Sequence, residues 1–167
     1  MTDDVKVRVG TPEDLDGIMD LAVSVAKENG VFAPDIHKVL SEVWPSLHQH
    51  FGIVGVIGEI GQPLEGFVLL RIGQQWYNNN NILEERVVFV DKKFRSAKGG
   101  RARKLCEFSK KAADELGLPL IIGIMSHSRT EGKMRLYRRM FGPEAGCFFL
   151  YGATTGNWNT NEGLPQS

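Results

Sequence analysis

Residues 87–105, VVFVDKKFRSAKGGRARKL, decide how the rest of the chain is interpreted. The continuous apolar run at 87–90 is β-branched and aromatic, a composition that predicts a buried strand. A polar turn follows, then Gly99 and Gly100, and a basic helix begins. Such a helix start suits an anion, because the first N–H groups have no intrahelical partner and the helix dipole favours negative charge. The stretch therefore predicts a phosphate site, with an ordinary β–α turn and a solvated basic helix as the alternative.

The charged residues of this turn narrow the kind of phosphate site. Arg95, Lys98 and Arg101 place mobile positive charge around the start of the helix. The turn lacks the Gly-Lys-Ser/Thr ending of a nucleotide P-loop, and no Gly-x-Gly-x-x-Gly fingerprint occurs in it. A phosphate-binding loop of another type is indicated.

The segment Arg95-x-x-Lys98-x-Gly100, followed by Arg101-Ala102, resembles motif A of the GNAT superfamily of N-acetyltransferases. The family pattern, Arg/Gln-x-x-Gly-x-Gly/Ala, wraps the pyrophosphate of acetyl-CoA. Lys98 stands where the family usually has its first glycine, so a phosphate-seeking charge replaces a residue that lets the backbone approach closely. The resemblance implies these cofactor-binding residues: Phe89, Val90, Arg95, Ser96, Ala97, Lys98, Gly99, Gly100, Arg101 and Ala102. Phe89 and Val90 would act through backbone N–H groups that pair with the pantetheine amides if the fourth and fifth strands separate.

Composition and periodicity set the organisation of the chain. Its 167 residues, 42% of them hydrophobic, predict one globular domain over 1–151 with a polar tail over 152–167. The apolar periodicities give the order β–α–α–β–β–β–α–β–α–β, which matches the GNAT fold. The fold class is therefore α/β (mixed α+β), with a mixed central sheet of six to seven strands flanked by about four helices. The elements expected are strands at 5–9, 52–59, 64–72, 82–90, 119–124 and 146–151, and helices at 11–30, 35–50, 101–116 and 131–140.

Charge and targeting signals exclude some partners. The 20 basic and 20 acidic residues balance, which disfavours a nucleic-acid coat. The chain start is too acidic for a signal peptide, and no apolar run approaches the ~20 residues of a membrane span. Cys106 and Cys147 make no disulfide framework, so reduced thiols are expected. We predict a cytoplasmic protein without membrane or nucleic-acid partners; a homodimer is compatible with the sequence.

A second segment, Leu136-Tyr137-Arg138-Arg139 followed by Phe141-Gly142, resembles the Leu-Tyr-x-x-x-Gly-Phe signature of the same family. There the tyrosine points toward the thioester sulfur, so the resemblance implies that Tyr137 protonates the departing thiolate. The usual asparagine and alanine of that helix are replaced here by Thr130 and Lys133.

The remaining candidates concern the acceptor side of the reaction. Glu84 lies where GNAT enzymes often place a general base on the fourth strand, and Glu85 is expected on the opposite face; a salt-bridged strand end is the alternative for both. Trp76 and Tyr77, in an asparagine-rich loop, either line an acceptor pocket or are ordinary exposed aromatics. His48 and His50 lack a third ligand nearby, so no metal is expected.

Together these features predict an acetyl-CoA-dependent N-acetyltransferase that transfers the acetyl group directly to an amine, with Glu84 and Tyr137 catalytic. The alternative is a non-catalytic GNAT-fold protein that binds or senses acyl-CoA. Nucleic-acid binding is a weaker third reading, because base-stacking aromatics are not interleaved with the basic residues. The sequence does not identify the acceptor amine.

Overall fold

The structure, a computed structural model, describes residues 4–95 and 98–156. The described residues form five strands and four α-helices in the predicted order as far as the last helix. The elements are β1 (Arg8–Val9), α1 (Leu15–Asn29), α2 (Ile36–Leu47), β2 (Gly52–Ile57), β3 (Gly66–Gln74), β4 (Asn81–Val90), α3 (Arg101–Leu116), β5 (Leu120–Ile121) and α4 (Thr130–Phe141).

One mixed sheet in the order β1-β2-β3-β4-β5 forms the centre of the fold. Strands β1 to β4 pair antiparallel in chain order, β2 to β4 as a meander, and β5 runs parallel to β4. Parallel pairing follows because α3 carries the chain back between β4 and β5.

The core lies on both faces of the sheet. On one face α1 and α2 cover the meander, with Ile18 and Val43 packed in a cluster with Phe67. On the other face α3 covers the central strands, with Leu105 in a cluster with Leu83. The fully buried side chains on both faces explain why the central strands read as continuous apolar runs.

The turn before α1 is held by an ion pair between a partly exposed arginine and a buried carboxylate. Arg8 on β1 donates two hydrogen bonds, each 2.8 Å, to the carboxylate of Asp14, which also accepts the backbone N–H of Thr11 at 2.8 Å. The Arg8 guanidinium holds the pKa of Asp14 below its usual value despite the burial of that carboxylate. These bonds tie the chain before α1 to the first strand. Thr11 precedes a 3-10 turn over Pro12–Asp14, and α1 itself begins at Leu15.

The predicted strand at 146–151 is absent, so six to seven strands are not confirmed. Within the described part of the chain, no backbone hydrogen bond joins this segment to another residue. Phe148, Phe149 and Tyr151 are 80%, 92% and 99% exposed. The run has strand propensity, but a strand forms only where a neighbouring edge pairs with it, and propensity alone does not supply that edge.

None of the helices among residues 4–95 and 98–156 combines the length and the apolar character that crossing a membrane would require.

Candidate active site

The sheet opens between its last two strands. β5 pairs with β4 at two positions only, Leu120 with Leu83 and Ile121 with Glu84, whereas β4 continues to Val90. Beyond Glu84, the edge of β4 therefore has no strand partner among the described residues. We call this opening the β4–β5 crevice. The predicted cofactor site requires the fourth and fifth strands to separate, and they separate at this crevice.

A bulge bends β4 at the closed end of the crevice. Leu69 lies opposite Val87 and Leu70 lies opposite Glu85, so Arg86 is an extra residue on β4. An extra residue bends its strand and increases the local twist. The bend therefore falls where β4 and β5 separate.

The strand register decides which backbone groups face the crevice. Asp91 donates its N–H to the carbonyl of Glu65 at 2.8 Å, so these opposed residues form a hydrogen-bonded pair. Because such pairs alternate along antiparallel strands, Phe89 also bonds to β3, and Val90 directs its N–H and C=O toward the crevice. Arg95 Nε reaches the Val90 carbonyl there, at 2.9 Å. Of the two residues predicted to offer an amide, only Val90 has it on the crevice side.

Two glycines shape the start of α3. Gly99 and Gly100 have φ values of 122° and 58°, and a Cβ on Gly99 would lie 2.4 Å from Val5 Cγ2. Both the backbone angle and the space therefore require glycine at position 99. Because Gly99 and Gly100 have no side chains, nothing from these two positions covers the first N–H groups of α3. Ser96 and Ala97, also predicted to bind the cofactor, lie outside the described residues.

The Arg95 guanidinium is already held by an acidic partner. It donates two bonds to the Glu28 carboxylate on α1, each 2.6 Å, and its Cζ lies 5.1 Å from the centre of the Phe89 ring. Burial alone would raise the pKa of Glu28, but the Arg95 hydrogen bonds and the charges of Lys92 and Lys133 lower it overall. Arg95 thus ties the end of α1 to the loop after β4, and a bound phosphate would compete with Glu28 for it.

The other two cations of the loop, Arg101 and Lys98, differ in whether their charges are already paired. Arg101 donates to Glu65 at 3.1 Å and to the Lys98 carbonyl at 3.1 Å, and its guanidinium stacks on Phe94. Ala102 is partly buried and packs on the α3-side core. The ammonium of Lys98 is exposed and forms no ion pair with any described residue. Lys98 is therefore available to an anion without breaking a contact.

Glu84 lies on the α2 side of the sheet in an ion-pair network. Arg86 donates to Glu84 at 3.0 Å and to Glu42 of α2 at 3.1 Å. Arg71, opposite Glu84 on β3, lies 3.7 Å from the same Glu42 carboxylate. The arrangement matches the salt-bridged strand end that is the alternative to a catalytic role.

Glu85 faces the other way, into the closed end of the crevice. Its carboxylate accepts the backbone N–H of Gly123, just beyond β5, at 3.2 Å. Burial raises the pKa of Glu85 to about 7, against the opposing effects of the Gly123 hydrogen bond and of the Lys133 and Arg86 charges. A carboxylate that takes up a proton near neutral pH is suited to general-base chemistry.

Tyr137 on α4 is partly buried and interacts electrostatically with the Glu85 carboxylate. Its pKa is raised well above the usual range, first by burial and then by the negative charge of Glu85. The phenol therefore stays protonated at neutral pH, and the raised pKa makes it a weaker acid than a solvated tyrosine. Cys106 on α3 is fully buried, and burial raises its thiol pKa to about 12, so it is not a nucleophile at neutral pH. Tyr137 therefore interacts electrostatically with Glu85, whereas Glu84 lies on the opposite face of β4.

Two residues that contact the loops at the crevice, Glu28 and Asn29, could not be identified from the sequence. Glu28 lies 67 positions from Arg95, and Asn29 accepts the N–H of His127 at 3.2 Å, 98 positions away. Both contacts join the end of α1 to loops at the crevice. Trp76 and Tyr77 are 94% and 69% exposed, with ring centres 5.6 Å apart. Within residues 4–95 and 98–156, no group of three or more His, Cys, Asp or Glu side chains could hold a metal ion.

No family model matches the chain, and no curated protein matches it. Solved structures, in contrast, match most of the chain. AAC(6')-Iy, in complex with the bisubstrate analog CoA-S-monomethyl-acetylneamine, is 15% identical with a TM-score of 0.67 over 88% of this chain and 96% of that one. A possible acetyltransferase from Clostridium difficile 630 is 18% identical with a TM-score of 0.64 over 89% and 96%. The ribosomal-protein-alanine N-acetyltransferase from Brucella melitensis biovar Abortus 2308 is 15% identical with a TM-score of 0.64 over 88% and 97%.

These likenesses show that the chain has the fold of the GNAT acetyltransferases over most of its length. The fold implied by the two sequence signatures is confirmed.

Proposed function

We propose that this protein is an acetyl-CoA-dependent N-acetyltransferase that works without a metal. The observation that carries the proposal is the β4–β5 crevice, with the Glu85 carboxylate at its closed end and a glycine-shaped helix start in the loop that follows β4. The fold is shared with structures named as acetyltransferases, one of them solved with a CoA analog. A cytoplasmic location is part of the same proposal.

The residues present fit an acyl-CoA. Gly99 and Gly100 leave the first turn of α3 open, and Lys98 adds an uncommitted positive charge, which suits a pyrophosphate. Val90 offers an amide and a carbonyl to the pantetheine arm, once Arg95 releases the carbonyl. Acetyl-CoA supplies the acetyl group as an activated thioester.

The chain's own contribution to the chemistry would be proton transfer. Glu85, with its pKa near neutrality, would accept the proton of the attacking amine, and Tyr137 would donate one to the departing thiolate. Glu84 remains the second candidate for the base. For Glu84 to serve, its carboxylate would have to be released from Arg86.

The acceptor is proposed only as an amine. Similar folds include proteins named for aminoglycosides and for a ribosomal-protein alanine, which are chemically distant acceptors. Trp76 and Tyr77 are exposed enough to contact an acceptor, but no described contact joins them to the crevice.

Two measurements test the proposal. A thermal-shift titration with acetyl-CoA tests the cosubstrate, and release of free thiol over a panel of amines tests turnover. Binding with thiol release supports the enzyme. Binding without thiol release for any amine would leave the acyl-CoA sensor, and the absence of binding would refute both.

A further inference from the structure

Helix α2 exposes a line of large apolar side chains. Ile36, Leu40 and Trp44 are between 36% and 48% exposed and are spaced four residues apart, so they lie above one another along one side of the helix. We call these three residues the α2 stripe, which runs over about two helical turns. Phe32, which is 68% exposed, precedes the stripe by four residues.

The stripe widens the apolar side of α2 beyond the face that packs on the sheet. Val43 and Leu47 belong to that face, are 1% and 3% exposed, and lie in the core cluster on this side. A surface helix ordinarily carries polar side chains away from its buried face. Helix α3 follows this rule, because every exposed position before Leu116 is charged. Packing within the chain therefore does not explain the apolar residues of the α2 stripe.

The helix holds the stripe in a fixed geometry. Asp35 caps α2 by accepting two backbone N–H groups of its first turn, at 2.9 and 3.2 Å. Glu42, two positions beyond Leu40 and hence on the other side of the helix, accepts a 3.1 Å hydrogen bond from Arg86. A partner would therefore meet a preformed surface, and little ordering of the backbone would oppose binding.

We propose that the α2 stripe is a homodimer interface, in which α2 packs antiparallel against α2 of a second copy. A two-fold axis places one surface patch against itself, so the patch must be self-complementary. Ile36 and Trp44 lie equally far from Leu40 along the helix. With the axis at Leu40, each Ile36 meets the partner subunit's Trp44, and the two Leu40 side chains meet each other. The inference does not depend on the proposed function, because it uses none of the residues assigned to the crevice.

The charges near the stripe are compatible with this arrangement. His37 and Ser41 lie beside the stripe on its solvent side, and neither is an acid, a lysine or an arginine. The charged residues within the helix, Lys38 and Glu42, lie on its other side, with Nζ and Oε1 3.9 Å apart. Pairing two stripes would therefore bury no unpaired ion and bring no like charges together.

The exposed area is of the right size for a homodimer interface. At ~200 Å² for a large side chain, about half of it exposed, the stripe and Phe32 supply roughly 400 Å² per copy. A standard interface buries ~800 Å² per partner, of which ~65% is apolar in homodimers, or roughly 500 Å². The four side chains therefore account for most of the apolar area that such an interface needs, and neighbouring polar residues would form its rim.

Sedimentation velocity of the full chain tests the interface. We expect the wild-type protein to form a dimer at concentrations up to ~100 μM. Leu40→Lys should raise the dimer dissociation constant at least ~10-fold, because it sets two like charges against each other at the axis. The matched Leu116→Lys changes a leucine of α3 that is 50% exposed, and it should leave the constant within about threefold. A monomeric wild type would overturn the inference and leave the stripe for a different partner, and equal effects of the two variants would overturn it as well.

A cysteine crosslink tests the position of the two-fold axis. Both cysteine variants also carry Cys147→Ser, because Cys147 is exposed, whereas Cys106 is buried. Leu40→Cys should join two copies on mild oxidation, because the two positions face each other. Ile36→Cys should not, because its two copies would lie ~12 Å apart along the helices, beyond the ~7 Å Cα separation that a disulfide tolerates. Crosslinking of both variants, or of neither, would overturn an axis at Leu40.

Discussion

The carboxylate of Glu85 and the backbone N–H of Gly123 are joined by a 3.2 Å hydrogen bond across the point where β4 and β5 separate. The two strands pair for the last time at Glu84 and Ile121, one position before Glu85 and two before Gly123. Glu85 therefore occupies the closed end of the crevice with its side chain, which accepts the Gly123 amide in place of a strand partner. Four predictions concern this region.

The first prediction separates the two candidate bases. Glu85→Gln should lower the acetylation rate about 10²-fold or more while acetyl-CoA affinity is retained, because the amide cannot accept the proton. The matched Glu84→Gln should mainly weaken the Arg86 ion pair and leave the rate within about threefold. Steady-state rates and thermal-shift affinities check both. A large rate loss for Glu84→Gln alone would restore Glu84 as the base.

The second prediction concerns stability and pH. Because the pKa of Glu85 is raised from 4.5 to about 7, the folded state holds this proton over a range in which the unfolded state releases it. Its contribution to the free energy of unfolding should therefore fall as pH rises from 4.5 toward 7. Urea unfolding at several pH values should show a smaller fall for Glu85→Gln. An identical pH dependence in the two proteins would contradict the raised pKa.

The third prediction distinguishes two cations of the loop before α3. Lys98→Ala should weaken acetyl-CoA binding roughly tenfold, the scale of one charge-assisted contact, with the unfolding midpoint unchanged. Arg95→Ala should instead destabilise the fold by roughly 2–3 kcal/mol, because it leaves the shielded Glu28 carboxylate without its partner.

Calorimetric titration and urea unfolding of both variants measure these effects. If Glu28→Gln tightens acetyl-CoA binding, Glu28 and the pyrophosphate compete for Arg95. Unchanged CoA affinity in a folded Lys98→Ala protein would remove the pyrophosphate from this loop.

The fourth prediction concerns the phenol of Tyr137. Tyr137→Phe keeps the ring, which packs edge-on at 5.6 Å against Phe141, and deletes only the proton donor. Stability should change by no more than about 1 kcal/mol, whereas turnover should fall much further with acetyl-CoA still binding. Because burial raises the pKa of Tyr137, the loss should be the same at every pH at which the protein is folded. Full turnover in the variant would rule out the proton-donor role.

Local patterns in the sequence determined most of the elements. The proline and acid after Thr11 form the 3-10 turn that leads into α1, and Gly117, with a φ of 64°, ends α3 as expected of a glycine after a helical stripe. The order of elements and the two short signatures were enough to predict the fold. The same local patterns predicted a strand at 146–151 that does not form. A strand needs a neighbouring edge to pair with, and residues far away in the chain must present that edge.

Tertiary structure alone decided the details of the site. The sequence placed Glu84 and Glu85 on opposite faces, since side chains alternate along a strand, but it could not tell which face carries Tyr137. The bulge at Arg86, the separation of β4 from β5, and the capture of Arg95 by Glu28 all depend on residues distant in sequence. Backbone periodicity is a local property and can be read from neighbouring residues. The protonation of Glu85 and the freedom of Lys98 depend on what the folded chain brings within a few ångströms of each charge.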